Sequence, residues 1–575
     1  MLALPHLATG QTRREALSAA EREHIQQQLD AQARAAPQTT ADPGALWLPP
    51  VASESPCFLV HRLELLGNPA LGGPGSFAWL LADLGDYSGA CLGPRSLDAL
   101  RRNLDARLLA RGYVTSHVSL PPQNLSQGVL LVQLHLGRLA RLDHRTPAAA
   151  AAGQSSRPPS CNALATRAGG VLNLRDVEQT LENLSRLPSQ ALQFQIEADE
   201  QPGMSVLATT PVAAAGGAQA RRWRLSAGVD NAAARDYGQW QSNLQATLDA
   251  PLGLADQLSA AVNRSLRNAG GERLQTSALL SYFIPWGYHA VLLNASRSSH
   301  ARPIQGLSTR FSENGFDSSM HARWQWAAWR TASSRWLLWG GTTQRSARNY
   351  VDDVELILQR RRVNSWDWGL NSWTRWPAGE LSLDYEQAVS TRVAIKTDFQ
   401  VDAPALARTR RLQLVWVQPV ALTGRLTGAT GERSAGQYEA RLAWAVVRRP
   451  ASGADLQNLG SRWSVRGFDA QGFLSGQEQL TFKQDLRWPA WTTAPGLQLQ
   501  PYAALDYGRV AAQAAAAPRA GHALAGLALG LRLQGQAWWG LSGWTGDVAL
   551  ATPLHKPAGF APTATVIYSS FNVHY

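Results

Sequence analysis

Two short stretches place a charged side chain beside glycine, Ser464-Val465-Arg466-Gly467-Phe468 and Ala504-Leu505-Asp506-Tyr507-Gly508. A guanidinium fork and a carboxylate offer charge-assisted hydrogen bonds, and glycine lets backbones approach closely, so their chemistry is that of tethering. Taken alone, Val-Arg-Gly-Phe is a run that chance can put in any loop. Patterns for covalent or metal chemistry are missing: the chain has no zinc-binding His-Glu-X-X-His, no Cys-X-X-Cys and no Gly-X-Ser-X-Gly elbow. It also lacks a Gly-rich phosphate loop, and its 12 histidines are scattered. The expectation is no enzyme, no metal site and no cofactor.

The elements that must position these residues are strands. From about Arg221 to Tyr575 side chains alternate in character, the period-two signature of a strand with two chemically different faces. Gln239, Gln241, Asn243, Gln245 and Thr247 fall on one face of their segment, and Trp240, Leu244 and Leu248 on the other. Likewise Leu480, Phe482, Leu486 and Trp488 alternate with Thr481, Lys483, Asp485 and Arg487. About sixteen such segments follow one another, an even number that returns both ends to one side. Connections on that side are short, as at Pro285-Trp286-Gly287 and Pro377-Ala378-Gly379, whereas 297–316 and 448–476 read as long loops on the other, and 418–435 breaks the rhythm. Arg466 lies in the longest predicted loop, and Asp506 on the thirteenth strand.

A closed sheet of about sixteen strands encloses an aqueous lumen, which accounts for a polar alternate face. The expected fold is therefore a transmembrane antiparallel β-barrel over 221–575. A soluble β-solenoid or double sandwich would show the same alternation with the faces reversed. Long strands, aromatic segment ends, an aromatic C-terminus and the short-long loop rhythm favour the barrel.

Ahead of it the pattern differs. Residues Arg13 to Arg34 read as one mostly polar helix in a segment 1–36, and 37–56 as an extended linker. A first α+β unit spans 57–139, with a helix at Ser96–Arg111 whose Leu97, Leu100, Leu104 and Leu108 share a face. A second unit spans 140–212, with Leu174, Val177, Leu181 and Leu184 on its helix and a break at Pro188.

Composition agrees. No uninterrupted apolar run long enough for a spanning helix exists, and mean hydropathy is −0.22, so a membrane would be crossed with strands. The 22 tryptophans suit the two interfacial belts of a barrel, although a Trp-rich soluble β protein is the plain alternative. The net charge of +12 is dispersed along the alternating segments, which argues against nucleic acid as a partner. Three cysteines fit an exported protein with at most one disulfide, and Cys57 and Cys91 share the first unit while Cys161 does not. No signal peptide is legible in Met1–Gln11, so export is inferred from the rest of the chain.

Together these features resemble the outer-membrane transporters built from POTRA modules plus a barrel. More narrowly, nearly the whole chain resembles the two-partner secretion transporters (TpsB) of the haemolysin secretion/activation, or ShlB/FhaC/HecB, group. The resemblance is carried by the Arg466 and Asp506 stretches and by Gly112-Tyr113-Val114-Thr115, Leu120-Pro121 and Gln123-Asn124-Leu125-Ser126-Gln127-Gly128 in the first module. Leu174-Arg175-Asp176, Arg186-Leu187-Pro188-Ser189 and Pro202-Gly203-Met204-Ser205 carry it in the second, and Val229-Asp230-Asn231 and Thr552-Pro553-Leu554 in the barrel. Two departures stand out: Ser475-Gly476-Gln477-Glu478-Gln479 replaces an expected Gly-Asp-X-Gly, and Ser185 an expected Asn.

The resemblance implies that loop 448–476 folds back into the lumen, where Arg466 of Val465-Arg466-Gly467-Phe468 pairs with Asp506 near Gly508. It implies that the helix of 1–36 plugs the lumen, a free coiled-coil-like tail being the alternative, and that Cys57 and Cys91 form a disulfide tying strand to helix in the first module, two free thiols being the alternative. It implies an outer-membrane location with the modules in the periplasm, a monomer among outer-membrane lipids, and secretion of a large partner exoprotein: an adhesin, haemolysin or contact-dependent toxin. The modules would capture that partner by strand addition or in a groove beside a helix, with Arg101 and Arg107 as candidate contacts. A barrel-assembly or lipid-inserting factor is the rival within the superfamily, and a passive porin the third reading.

Overall fold

The structure is a computed structural model. It describes residues 48–51, 54–67, 77–145, 160–211, 221–232, 238–266, 274–305, 309–392, 406–422, 435–448, 456–469, 473–494, 496–511, 522–536, 542–558, 560 and 565–575. The polar helix expected in 1–36 lies outside the described residues.

The first module forms because one helix has a leucine stripe to bury. Helix α1 (Pro94–Ala110) starts at a proline, whose missing N–H costs nothing in a first turn, and buries Leu100, Leu104 and Leu108 completely. They pack on Val60, Val118, Leu130, Val132 and Leu134 from the strands, with Phe77, Leu80 and Tyr87 closing the core. Strand Arg62–Leu66 runs parallel to Val129–His135, which pairs antiparallel with His117–Ser119. Part of the expected linker is held on α1: Leu48 donates its N–H to Asn103 at 3.0 Å, and the Glu54 carboxylate accepts from the Arg95 and Ser96 amides at 2.6 and 3.1 Å.

The second module repeats the plan around helix α2 (Leu174–Ser185), capped by the Asn173 side chain. Strand Arg138–His144 begins two residues before the expected boundary and pairs parallel with Met204–Pro211, which pairs antiparallel with Leu192–Ala198. Leu139, Leu172, Val177 and Leu207 form its small core.

From Trp223 to His574 every long strand pairs antiparallel with its neighbour, and the last, Val566–His574, pairs with the first, Trp223–Asp230. Sixteen long strands thus close a barrel, joined by the short additions Val354–Glu355 and Trp491–Ala494. Side chains alternate across the wall: Leu480, Leu505, Tyr507 and Leu529 are exposed outside, whereas Thr481, Ala504, Asp506 and Ala528 are buried inside. The loop expected at 297–316 is mostly strand. His289–Gln305 is paired with Arg310–Arg330 along its whole length, from His289 opposite Trp326 to Gln305 opposite Arg310. At about 3.4 Å per residue, the 21-residue strand is more than twice as long as an apolar band of about 25 Å requires, so this hairpin rises well beyond the membrane.

Candidate functional site

Arg466 sits on a loop that enters the barrel between the strands Gly436–Arg448 and Glu478–Arg487. The loop stiffens itself with a hairpin, Gln457–Leu459 against Leu474–Gly476. A short turn follows, in which the Ser464 hydroxyl accepts from the Gly460 and Ser461 amides at 3.0 and 3.1 Å. It returns to the wall through backbone bonds, Gln477 N–H to Ala511 O at 3.0 Å and Val447 N–H to Gln477 O at 2.7 Å. The Ser475–Gln479 stretch therefore anchors the loop through the Gln477 main chain and through Ser475 and Gln479 side-chain bonds to Asn458, without the aspartate of the expected pattern.

At the tip, Arg466 meets two carboxylates. Its backbone N–H and Nε donate to Asp506 Oδ2 at 2.8 and 2.7 Å, and Nη2 donates to Asp506 Oδ1 at 2.6 Å. Nη1 donates to Asp485 Oδ1 at 2.5 Å. Asp506 is wholly buried, which would be costly for an unpartnered carboxylate but is offset by three donors from one residue. Lys483, directly opposite Asp506 in the sheet, donates to the Trp463 carbonyl at 3.0 Å. Two cations and two anions therefore meet in one small volume, with their charges balanced.

Apolar and backbone contacts lock the rest of the motif. Val465 and Phe468 are fully buried with Leu459, Val510 and Leu524, and the Phe468 ring meets Phe560 edge-on. The Tyr568 hydroxyl accepts from the Gly467 amide and donates to the Phe468 carbonyl, both at 3.0 Å. Gly467 has φ +98°, a left-handed conformation that side chains resist. Gly508 and Gly526 are the wall's counterpart: a Cβ on the first would meet Leu459 and Val465, and one on the second would run into the Arg466 carbonyl.

The structure thus brings Val465, Arg466, Gly467, Phe468, Asp506 and Gly508 together. Cys57 and Cys91 form a disulfide with Cα atoms 5.3 Å apart, which ties strand to strand and not strand to helix, because Phe58–Val60 pairs with Ala90–Leu92 ahead of α1; Cys161 is free and exposed. Arg101 and Arg107 are elsewhere and already engaged. Arg101 pairs with Asp98 and Asp105 on its own helix, and Arg107 donates to the Leu80 and Ala82 carbonyls at 3.1 and 2.5 Å. Asp485, Lys483, Tyr568 and Gly526 went unmarked as site residues in the sequence. The alternation of 479–488 gives the first two a lumen-facing position, but nothing local links Tyr568 or Gly526 to a loop some 60 to 100 residues away.

A second contact surface joins α2 to the periplasmic turns of the barrel. Asp176 accepts from the Tyr288 hydroxyl at 2.5 Å, and Asn183 donates to the Gly287 carbonyl at 2.8 Å. Glu182 binds both Arg330 and Arg335, and Ser189 donates to Asp249 at 2.8 Å. Among the described residues Ser185 bonds only back to Glu182 O, and it is Asn183, two residues earlier, that holds the turn. Burial holds the Asp176 carboxyl above its ordinary range, against the opposing effect of the Tyr288 hydrogen bond.

Known proteins resemble this chain in sequence and in fold. The family described as haemolysin secretion/activation protein ShlB/FhaC/HecB matches residues 215–533, a ShlB-type POTRA domain matches 58–137, and a further POTRA domain matches 148–198. The outer membrane transporter CdiB-2 of Burkholderia pseudomallei is 28% identical over 96% of this chain and 92% of its own length. The hemolysin transporter protein ShlB of Serratia marcescens is 25% identical over 67% of this chain and 66% of its own. The solved structure of CdiB from Escherichia coli has the same fold, with a TM-score of 0.78 at 24% identity over 98% of both chains. On its sequence, its two modules and its barrel, the chain belongs to the haemolysin secretion/activation (ShlB/FhaC/HecB) family of outer-membrane transporters.

Proposed function

We propose that the chain secretes one large partner exoprotein across the outer membrane, with the two modules receiving that protein in the periplasm and the barrel conducting it. The observation that carries this reading is the folded-back loop, held in the lumen by side-chain bonds from Arg466 to two wall carboxylates. Non-covalent anchors of this kind can be released and remade, as a gated path for an unfolded chain requires. The helix of 1–36 is a second plug in this reading. Directionality comes from folding of the partner outside the cell, so no nucleotide is needed.

The partner is a haemolysin, adhesin or contact-dependent toxin, and the barrel works as a monomer among outer-membrane lipids. Capture uses an exposed sheet edge of a module, for which Leu192–Ala198 is suited because it pairs on one side only. Arg107 is a poor contact in this scheme, since its guanidinium is spent on loop carbonyls. The test is deletion of the gene followed by surface proteomics. Loss of one large exoprotein is expected. Loss of many barrels together would overturn the reading in favour of a barrel-assembly role.

A further inference from the structure

The outer wall of the barrel differs chemically between its two ends. Toward the periplasm it carries bare indoles: Trp286 is 73% exposed and Trp329 62%. The arginine there is Arg221, just before the first strand, and its guanidinium lies over the Tyr575 ring at 4.2 Å. Toward the extracellular ends, arginines take over. Leu480 is exposed on the outer face and lies opposite Trp444, which lies opposite Leu412. Arg410 and Arg408 stand two and four residues before Leu412 on its strand, so they share that face. In the antiparallel register Arg408 is directly opposite Arg448, and all three arginines are exposed.

Like charges placed directly opposite destabilise a strand pair unless something neutralises them. Among the described residues, no carboxylate does so. The nearest outward acid, Glu478, is separated from Arg410 by Val446 and accepts from Trp444 Nε1 at 2.9 Å. Below the arginines toward mid-membrane, Leu412, Trp444 and Leu480 give apolar surface. A second row has similar chemistry, with Arg297 and Arg362 flanking the hydrogen-bonded Ser318 and Ser346 hydroxyls, 2.8 Å apart.

Guanidiniums with no carboxylate partner among the described residues, above an apolar belt at the extracellular end, fit a ligand with phosphates at its head and several acyl chains below. We propose that Arg408, Arg410 and Arg448 form a binding site for lipid A, the phosphorylated, multiply acylated glycolipid of the outer leaflet. Its phosphate bridges Arg408 and Arg448 and neutralises their repulsion, and its chains lie along Leu412 and Trp444. The inference rests on the reading of the barrel as an outer-membrane transporter.

The full chain, purified in detergent, is titrated with bisphosphorylated lipid A and with lipid A stripped of both phosphates, and bound lipid is counted by native mass spectrometry. The wild type is expected to favour the phosphorylated form at least about tenfold. The triple variant R408Q/R410Q/R448Q should lose most of that preference, Arg448→Gln alone part of it, and Arg411→Gln, which pairs with Glu386 in the lumen, none. Only protein that stays folded in cold SDS is scored. Equal binding of the two lipids, a preference that survives the triple substitution, or equal binding of phosphatidylglycerol through the same arginines overturns the proposal. Secretion of the partner is assayed separately, so a working transporter without lipid A preference sinks this inference alone, and failure to insert into membranes sinks both.

Discussion

Asp506 receives three hydrogen bonds from Arg466, one from its main-chain N–H and two from its guanidinium, so a single carboxylate fixes both the backbone and the side chain of the loop tip. The side-chain bonds can break while the main-chain bond persists, and the reverse is equally open. The anchor therefore has separable parts.

Replacing Asp506 with alanine leaves Arg466 with Asp485 as its one carboxylate and removes the acceptor for the loop's N–H. Breaking a buried pair this way costs about 3–5 kcal/mol, enough to populate the undocked loop. Planar-bilayer recordings should show larger or more frequent openings, with partner secretion reduced. Arg466→Lys should behave similarly, because an ammonium cannot reproduce the fork. Unchanged conductance and secretion in both variants would remove the loop from the mechanism.

Gly526 tests the same docking without touching a charge. A methyl group there collides with the Arg466 carbonyl, so Gly526→Ala should release the loop while leaving the ion pair's residues intact. Cysteines placed at Ser464 and at a neighbouring wall position should cross-link in the wild-type background and fail to do so in this variant. Undiminished cross-linking would show that the wall can yield.

The Cys57–Cys91 disulfide closes a segment of 34 residues, from which chain entropy gives a stabilisation of about 3–4 kcal/mol for the first module. In the full chain, Cys57→Ser with Cys91→Ser should make sites within 57–139 open to trypsin well before the barrel is attacked. An unaltered digestion pattern would mean that the leucine core suffices.

Asp176 gives the module-barrel contact a pH dependence. Its folded pKa is raised by burial, so its contribution is fully present below the ordinary carboxylate value and is lost as pH rises through the raised one. A spin-label pair spanning α2 and the 287–288 turn should report a narrower distance distribution as pH falls from neutral toward the carboxylate range, and Asp176→Asn should abolish the change. The same width at every pH in the unmodified protein would show that the Tyr288 bond cancels the effect of desolvation.

Much of the barrel was legible because strand alternation is a local property: each side chain's face follows from its parity, and a polar inner face is required once water fills the lumen. The alternating segments around Gln241 and Leu480 are strands Gln241–Asp249 and Glu478–Arg487, and the clear departure comes near 297–316. There the hairpin has polar residues on both faces, so nothing marks where the membrane stops and the strands continue. Helix stripes such as Leu100, Leu104 and Leu108 were equally plain, since their period needs no partner to be seen.

Contacts between distant segments were not written locally. Arg466 and Asp506 could be joined beforehand only through family resemblance. Gly526 entered the site because the register sets it opposite Asp506, and Tyr568 because the curved wall brings the last strand against the inward loop. The sequence on its own determined which residues face water, lipid or core, because those preferences belong to single side chains and their spacing. Only the closed tertiary structure decided which lumen charges meet, because register and curvature bring together groups that are far apart along the chain, and burial then makes their pairing obligatory.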